Sequence, residues 1–151
     1  MPFQSVLVAD DMLDASQPAL AEAVNIAKLS HAKLTLVTVI SLISPSFGVP
    51  VPIGDSFDAL LEAAKRRLEA QKARILAEGV PEVETALLEG DPVDRVVQYA
   101  EKHRPDLIVV GSRGLSTAGR FLLGSVSDGI IHHVHCSVLV VKAHPTPHPS
   151  A

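Results

Sequence analysis

Cysteine is nearly absent from this chain of 151 residues: Cys136 is the only one, so no internal disulfide can form. A chain without disulfides fits a reducing compartment. No apolar run approaches the ~18 residues of a membrane-spanning helix, and the N-terminus lacks the basic and apolar regions of a signal peptide. We therefore expect a soluble, cytoplasmic protein with no membrane partner.

Aromatic residues and basic clusters are also scarce. Tryptophan is absent, aromatic residues make up 3% of the chain, and the net charge is −4. Proteins that bind the nucleic-acid backbone carry clustered lysine and arginine, often with aromatic residues between them. The densest basic stretch, Lys65-Arg66-Arg67, lies between Glu62 and Glu69 in a helical pattern and is interpreted as a solvated helix face. Nucleic acid is therefore not an expected partner.

What the chain does contain is a regular alternation of short apolar runs and helical patterns. Strands are predicted at Ser5–Ala9, Lys33–Ile40, Glu82–Leu88, Leu107–Val110 and Ser137–Lys142. Helices are predicted at Gln17–Ser30, Phe57–Glu78, Pro92–His103 and Val126–His135, the first capped by Ser16 and the third by Asp91. The alternation predicts an α/β domain with a five-stranded, parallel, doubly wound sheet of order 3-2-1-4-5 and helices on both faces.

This domain is expected to occupy residues 1–143, and the histidine- and proline-rich residues 144–151 are expected to form a disordered tail. Within the domain, Ser41–Ser56 contains three prolines and two glycines and is predicted to be a long loop. It could be a lid over a ligand, a disordered insertion or a surface packed against a partner subunit.

A glycine-bearing loop follows the fourth strand and leads into the last helix. Its fixed positions are Gly111, Gly114, Gly124 and Ser125. Glycine lets an anion approach backbone N–H groups without a Cβ in the way, and the first turn of a helix has unpaired N–H groups. Arg113 adds a cation. This arrangement predicts a phosphate-binding loop, although a purely structural role for the glycines also remains open.

In the predicted sheet order, strands one and four are neighbours at the point where the winding reverses. Ligands of such sheets bind in the crevice at the carboxyl ends of the strands at this point. Asp11 follows strand one and Gly111 follows strand four. We therefore expect a carboxylate and the phosphate-binding loop on opposite sides of one crevice.

These residues resemble the ATP-binding signature of the universal stress proteins: glycine, two residues, glycine, nine residues, then glycine followed by serine or threonine. The stretch SVSDGIIHHVHCSVLVVK also looks like the last helix and strand of that family, with Ser137 in place of the usual proline. The resemblance covers nearly the whole chain. It implies the adenine nucleotide alpha hydrolase-like fold and ATP as the ligand, with Mg²⁺ bridging the phosphates through few protein ligands.

The resemblance also assigns roles to individual residues. Asp11 would bind the ribose hydroxyls, and the backbone around Val39 would bind the adenine. The implied nucleotide-binding residues are Ala9, Asp11, Val39, Gly111, Arg113, Gly114, Gly124, Ser125, Val126 and Ser127. Two departures from the family stand beside Asp11: Asp10 occupies a place that is usually apolar, and Met12-Leu13 replace a small Gly-Ser and could crowd the ribose. Asp10 and Asp11 could also form a loop turn with a capping role.

Two other kinds of site are set aside. Metal-ligand residue types cluster at His132, His133, His135 and Cys136, but neighbouring residues of a helix point in different directions. No metal site is assigned. Fast ATP hydrolysis would need a base or a water-positioning residue near the γ-phosphate, and Gly111–Ser125 offers only Ser116 and Thr117. No catalytic residue is assigned, and ATP turnover is expected to be slow at most.

The sequence thus predicts a nucleotide-responsive stress or signalling module of the universal stress protein type. The resemblance implies a homodimer through Ser137–Lys142, and the apolar character of this predicted edge strand favours the same partner. One alternative is a nucleotide-free, dimeric, stress-linked interaction protein. The other is an enzyme on a related nucleotide-binding α/β fold, which usually carries an extra domain.

Overall fold

The computed structural model describes residues 2–11, 16–40, 55–112 and 125–142. Within them the strands are β1 (Ser5–Ala9), β2 (Lys33–Ile40), β3 (Glu82–Glu89), β4 (Leu107–Gly111) and β5 (Ser137–Val141). The helices are α1 (Gln17–Ser30), α2 (Asp55–Ala77), α3 (Pro92–His103) and α4 (Ser125–His133). The predicted tail, residues 144–151, lies outside the described residues.

All five strands are parallel and form one sheet of order β3-β2-β1-β4-β5, as predicted. β1 lies in the middle of the sheet. Its residue Val8 pairs with Leu36 of β2 on one side and with Val109 of β4 on the other. The doubly wound fold is therefore confirmed, with β1 and β4 adjacent at the reversal of the winding.

Each face of the sheet carries its own hydrophobic core, because successive side chains of a strand point to opposite faces. The face covered by α1 and α2 buries Val6 and Val8 of β1. The face covered by α3 and α4 buries Leu7 of β1 together with Val96 and Ile130 of the two helices. β1 is thus buried on both faces, which explains why its sequence is a continuous apolar run rather than an alternating one.

Element boundaries differ from the sequence predictions at several ends. α2 begins at Asp55, so the last two residues assigned to the long loop belong to the helix, and residues 41–54 lie outside the described residues. α4 ends at His133 rather than His135. The N–H of Val134 closes the last turn on the carbonyl of Ile130, at 3.1 Å, and the chain then enters β5 at Ser137.

The connection from β3 to α3 shows how local sequence places a helix beside the sheet. Gly90 has φ +134°, a conformation that glycine adopts readily, and its N–H donates to the carbonyl of Ile40 at 3.0 Å. The Asp91 side chain then accepts a hydrogen bond from the N–H of Asp94 at 3.0 Å. This is the predicted N-cap, and Pro92 follows it in the first turn.

Candidate functional site

The carboxyl ends of β1 and β4 lie side by side and form the edge at which a ligand crevice is expected. Val8 pairs with Val109, so Asp10 and Asp11 beyond β1 and Gly111 at the end of β4 reach the same edge of the sheet. The structure therefore places residue Asp11 and the start of the glycine-bearing loop at the same edge of the sheet. Asp11 is half-buried.

On the β1 side, Asp10 is the centre of a buried polar cluster. The residue is 2% exposed, and its Oδ1 accepts a hydrogen bond from the Ser16 hydroxyl at 2.6 Å. Its backbone is held as well: the N–H donates to the carbonyl of Val37 at 2.9 Å, and the Thr38 hydroxyl donates to the Asp10 carbonyl at 2.8 Å. Ser16 and Thr38 are also buried. The cluster ties the end of β1 to β2 and to the start of α1.

Ser16 occupies the predicted N-cap position of α1, but its side chain makes no capping hydrogen bond to the helix backbone. The hydroxyl donates to Asp10 instead. A buried carboxylate at this end of α1 lies where the helix macrodipole favours negative charge. The sequence prediction of a cap was therefore right in position and wrong in hydrogen-bond partner.

On the β4 side, α4 begins at Ser125, and its first turn is held against the strand. The Ser127 hydroxyl donates to the carbonyl of Gly111 at 2.5 Å, and Ser127 is 2% exposed. Val126 is half-buried and packs against the core on this face. The N-terminus of α4, whose N–H groups and dipole suit an anion, is thus fixed beside the end of β4. Arg113, Gly114 and Gly124 lie outside the described residues.

The third side of the crevice is the end of β2. Val37 presents its carbonyl to Asp10, toward β1, whereas the carbonyl of Ile40 accepts from Gly90, toward β3. Because backbone groups alternate in direction along a strand, those of Val39 point toward β1. The pairing of β1 with β2 ends at Ala9 and Val37, so Val39 lies two residues beyond it. Its backbone groups therefore point toward β1 at the edge where the crevice is expected and where the resemblance placed the adenine.

The sequence analysis placed Asp10 beside Asp11 at this edge but did not predict its burial or its hydrogen bonds, and it missed Thr38. The only sequence signal was that Asp10 directly follows a strand buried on both faces. Its side chain therefore points toward a covered face of the sheet whichever face it takes. That its hydroxyl partners would be Ser16 and Thr38 depends on how α1 and β2 pack, and no local pattern gives this.

The histidines near the end of α4 make hydrogen bonds to their own helix. The ring Nδ1 of His132 lies 2.7 Å from the carbonyl of Asp128, and that of His133 lies 2.7 Å from the carbonyl of Gly129. Among the described residues, no three His, Cys, Asp or Glu side chains group closely enough to hold a metal ion. In the same part of the chain, no helix is both long and apolar enough to cross a membrane.

Comparisons of the sequence and of the structure with known proteins point to one family. The model of the universal stress protein family matches residues 2–142. A universal stress protein of Methanocaldococcus jannaschii is 36% identical over 144 residues, which cover 93% of this chain and 82% of the relative. The solved structure of a universal stress protein in complex with cAMP has a TM-score of 0.69 at 30% identity and covers 95% of this chain and 100% of its own.

A further solved structure, the universal stress protein from Archaeoglobus fulgidus in complex with dAMP, has a TM-score of 0.65 at 26% identity, over 94% of this chain and 100% of its own. The match of the family model extends across all nine strands and helices described above. The chain therefore belongs to the universal stress protein family.

Proposed function

We propose that this protein binds ATP in the crevice between the ends of β1 and β4 and acts in the cytoplasm as a nucleotide-responsive stress or signalling module. The observation that carries the proposal is the juxtaposition of Asp11 with Gly111, where Ser127 holds the N-terminus of α4. A hydrogen-bond acceptor for a sugar and a group of donors for phosphates thus meet at one edge.

The donors and acceptors at this edge match the parts of an adenine nucleotide. The Asp11 carboxylate can accept hydrogen bonds from ribose hydroxyls, as acidic residues do in dinucleotide-binding folds. The backbone of Val39 offers one donor and one acceptor to the adenine edge. The phosphates would take N–H groups of the loop from Gly111 and of the first turn of α4 at Ser125, with the helix dipole favouring their charge. Mg²⁺ would bridge the phosphates.

Two relatives support the nucleotide part of the proposal. One universal stress protein of similar structure was solved in complex with cAMP, and another in complex with dAMP. Both ligands are adenine nucleotides. The triphosphate is proposed from the chain's own loop, which provides three glycines, Ser125 and the cation Arg113.

The test is the melting temperature of the protein with and without Mg-ATP, with AMP and GTP as controls. At 100-fold excess over Kd, a ligand adds ~2.7 kcal/mol to the free energy of unfolding. For a domain of this size, that corresponds to a shift of roughly 5–10 °C. A shift with ATP that exceeds those with AMP and GTP supports the proposed site. No shift with any nucleotide at millimolar concentration contradicts it and favours the nucleotide-free interaction protein.

A second test addresses the phosphate loop itself. Replacing Gly124 with leucine would put a bulky side chain where the phosphates are proposed to approach the backbone. We expect this variant to lose ATP binding and to keep the far-ultraviolet circular dichroism of the wild type. An unchanged ATP affinity would contradict the assignment of Gly124 to the phosphate site.

We further propose that the protein forms a homodimer through the edge strand predicted at Ser137–Lys142, which β5 largely fills. The four apolar side chains from Val138 to Val141 are only half-buried. The opposite edge strand, β3, carries Glu82, Glu84 and Glu89, and charged side chains discourage pairing of an edge. The chemical contrast between the two edges favours β5 as the self-pairing edge.

A further inference from the structure

The buried cluster around Asp10 joins the two residues that are proposed to bind the nucleoside. Asp10 directly precedes Asp11, the proposed ribose contact, and Thr38 directly precedes Val39, the proposed adenine contact. We propose that Asp10, with Ser16 and Thr38, is a positioning group that fixes Asp11 relative to Val39 and thereby sets the preference of the crevice for ribose hydroxyls. This inference rests on the proposed function.

The first step of the argument is the peptide unit between Asp10 and Asp11. Its carbonyl accepts the hydrogen bond from the Thr38 hydroxyl at 2.8 Å. Because a peptide unit is planar, holding this carbonyl also restricts the position of the Asp11 nitrogen and Cα, from which its side chain extends. The Thr38 hydroxyl therefore acts on the position of Asp11 through one rigid group.

The second step is that this contact extends the connection between the strands beyond their regular pairing. The last paired residues of β1 and β2 are Ala9 and Val37. Beyond them, the N–H of Asp10 donates to the Val37 carbonyl at 2.9 Å, and the Thr38 hydroxyl supplies the next bond. The backbone of residue 10 is thus held by β2 at both its N–H and its carbonyl.

The third step concerns the side chain of Asp10. Its Oδ1 accepts from the Ser16 hydroxyl at 2.6 Å, and both residues are nearly inaccessible to water, at 2% and 5% exposure. Hydrogen bonds to a carboxylate are stronger than neutral ones, and burial strengthens them further. This bond fixes the start of α1 to the end of β1, so Asp11 lies between two anchored segments.

The experiment compares the affinities of ATP and 2′,3′-dideoxy-ATP, which lacks both ribose hydroxyls, by isothermal titration calorimetry. A charged hydrogen bond to a ribose hydroxyl predicts that the wild type prefers ATP by about tenfold or more. Asp11→Ala should abolish this preference. Thr38→Val, which keeps the shape of the side chain and removes its hydroxyl, should lower the preference by about threefold or more.

Two further variants separate positioning from a general loss of stability. Thr35→Val is the matched control, since Thr35 is another buried threonine of β2 and pairs with Leu7, in the middle of β1 rather than at its end. It should keep the wild-type preference even if its melting temperature falls. Asp10→Asn retains an acceptor for the Ser16 hydroxyl and should keep most of the preference, whereas Asp10→Ala should lower it.

Each outcome decides one assignment. If Thr38→Val and Asp10→Ala keep the wild-type preference while Asp11→Ala loses it, the positioning role is wrong and the nucleotide site stands. If the wild type binds ATP and its dideoxy analogue equally, the assignment of Asp11 to the ribose is wrong, and the inference fails with it. If the wild type binds neither, the proposed function itself is wrong and the inference falls too. Should Asp10→Ala not fold, Thr38→Val decides the question.

Discussion

The Ser127 hydroxyl lies 2.5 Å from the carbonyl oxygen of Gly111 and donates a hydrogen bond to it in a place where Ser127 is 2% exposed. Gly111 ends β4, and Ser127 is the third residue of α4. The bond therefore fixes the N-terminus of the helix against the strand on the phosphate side of the proposed site. Because its hydroxyl donates to the protein backbone, we expect Ser127 to act on the proposed phosphate site by positioning the first turn of α4.

Ser127→Ala tests the strength and role of this bond. The variant removes the hydroxyl that donates to the Gly111 carbonyl. We therefore expect the free energy of unfolding to fall by about 1–2 kcal/mol. Urea denaturation measures this. ATP affinity should fall as well, because the first turn of α4 is less well held. Ser30→Ala, in the last turn of α1, is the control and should change neither quantity appreciably. A variant as stable as the wild type would show that the bond contributes little.

A second prediction concerns Tyr99, the only tyrosine of the chain. Burial raises the pKa of its phenol, and the nearby Glu84 carboxylate raises it further. The ring also stacks on His103, with centroids 3.8 Å apart. The ultraviolet absorbance of tyrosinate should therefore appear with a midpoint above the ordinary value of about 10. Glu84→Gln should lower this midpoint, whereas Glu82→Gln should change it less.

The same part of the sheet makes stability depend on pH. Hydrogen bonding to Glu84, whose carboxylate lies 2.8 Å from the Lys33 Nζ, raises the pKa of Lys33. Both Lys33 and Tyr99 hold their protons more tightly in the folded protein than in the unfolded chain. The contribution of these two groups to the free energy of unfolding should therefore be fully present and constant below pH ~10. It should be lost as the pH rises above that value. Urea midpoints measured between pH 8 and 11 test this, and Tyr99→Phe should remove part of the decrease.

The edge of β5 yields a fourth prediction, on oligomeric state. The wild type should sediment as a dimer at micromolar concentration. Val140→Lys places a charge on the apolar edge, where lysine discourages strand pairing, so this variant should sediment as a monomer. Thr85→Lys makes the same change on β3, the other edge strand, and should leave the dimer intact. A monomeric wild type would contradict the proposed interface.

Most of the fold could be predicted from the sequence, because its elements are marked locally. The run Ser5–Ala9 is short and wholly apolar, as expected of a strand buried on both faces, and Asp91-Pro92 marks the start of α3 by cap and first position. The sheet order follows from the alternation of strands and helices. The end of α4 was placed two residues too late, since helical periodicity alone does not show where the chain must turn toward β5.

The candidate site could be predicted only in part. The positions of Asp11 and Gly111 at one edge follow from strand order, which the sequence supplies. The burial of Asp10 and the diversion of the Ser16 hydroxyl from capping do not, since they depend on how α1, β1 and β2 meet in three dimensions. A residue pattern gives the preference of serine for a helix start. It does not show that a buried carboxylate will compete for the hydroxyl.

The last prediction tests the packing that holds α4 against α3. Gly129 lies so close to Val93 that a Cβ at position 129 would stand 2.8 Å from both methyl carbons of Val93. Alanine favours a helix over glycine by about 1 kcal/mol, yet overpacking a close contact costs about 1–3 kcal/mol. We therefore expect Gly129→Ala to destabilise the protein and, by shifting the N-terminus of α4, to weaken ATP binding.

The double variant with Val93→Ala provides the control, because removing the two methyl groups makes room for the new Cβ. In a double-mutant cycle measured by urea denaturation, the two changes should be non-additive: Gly129→Ala should be destabilising when Val93 is present and neutral or stabilising when it is absent. The double variant should also regain the ATP affinity that Gly129→Ala alone loses. Additive effects on stability would mean that residue 129 does not meet Val93 in solution, and that the position of α4 depends on other contacts, among them the bond from Ser127 to Gly111.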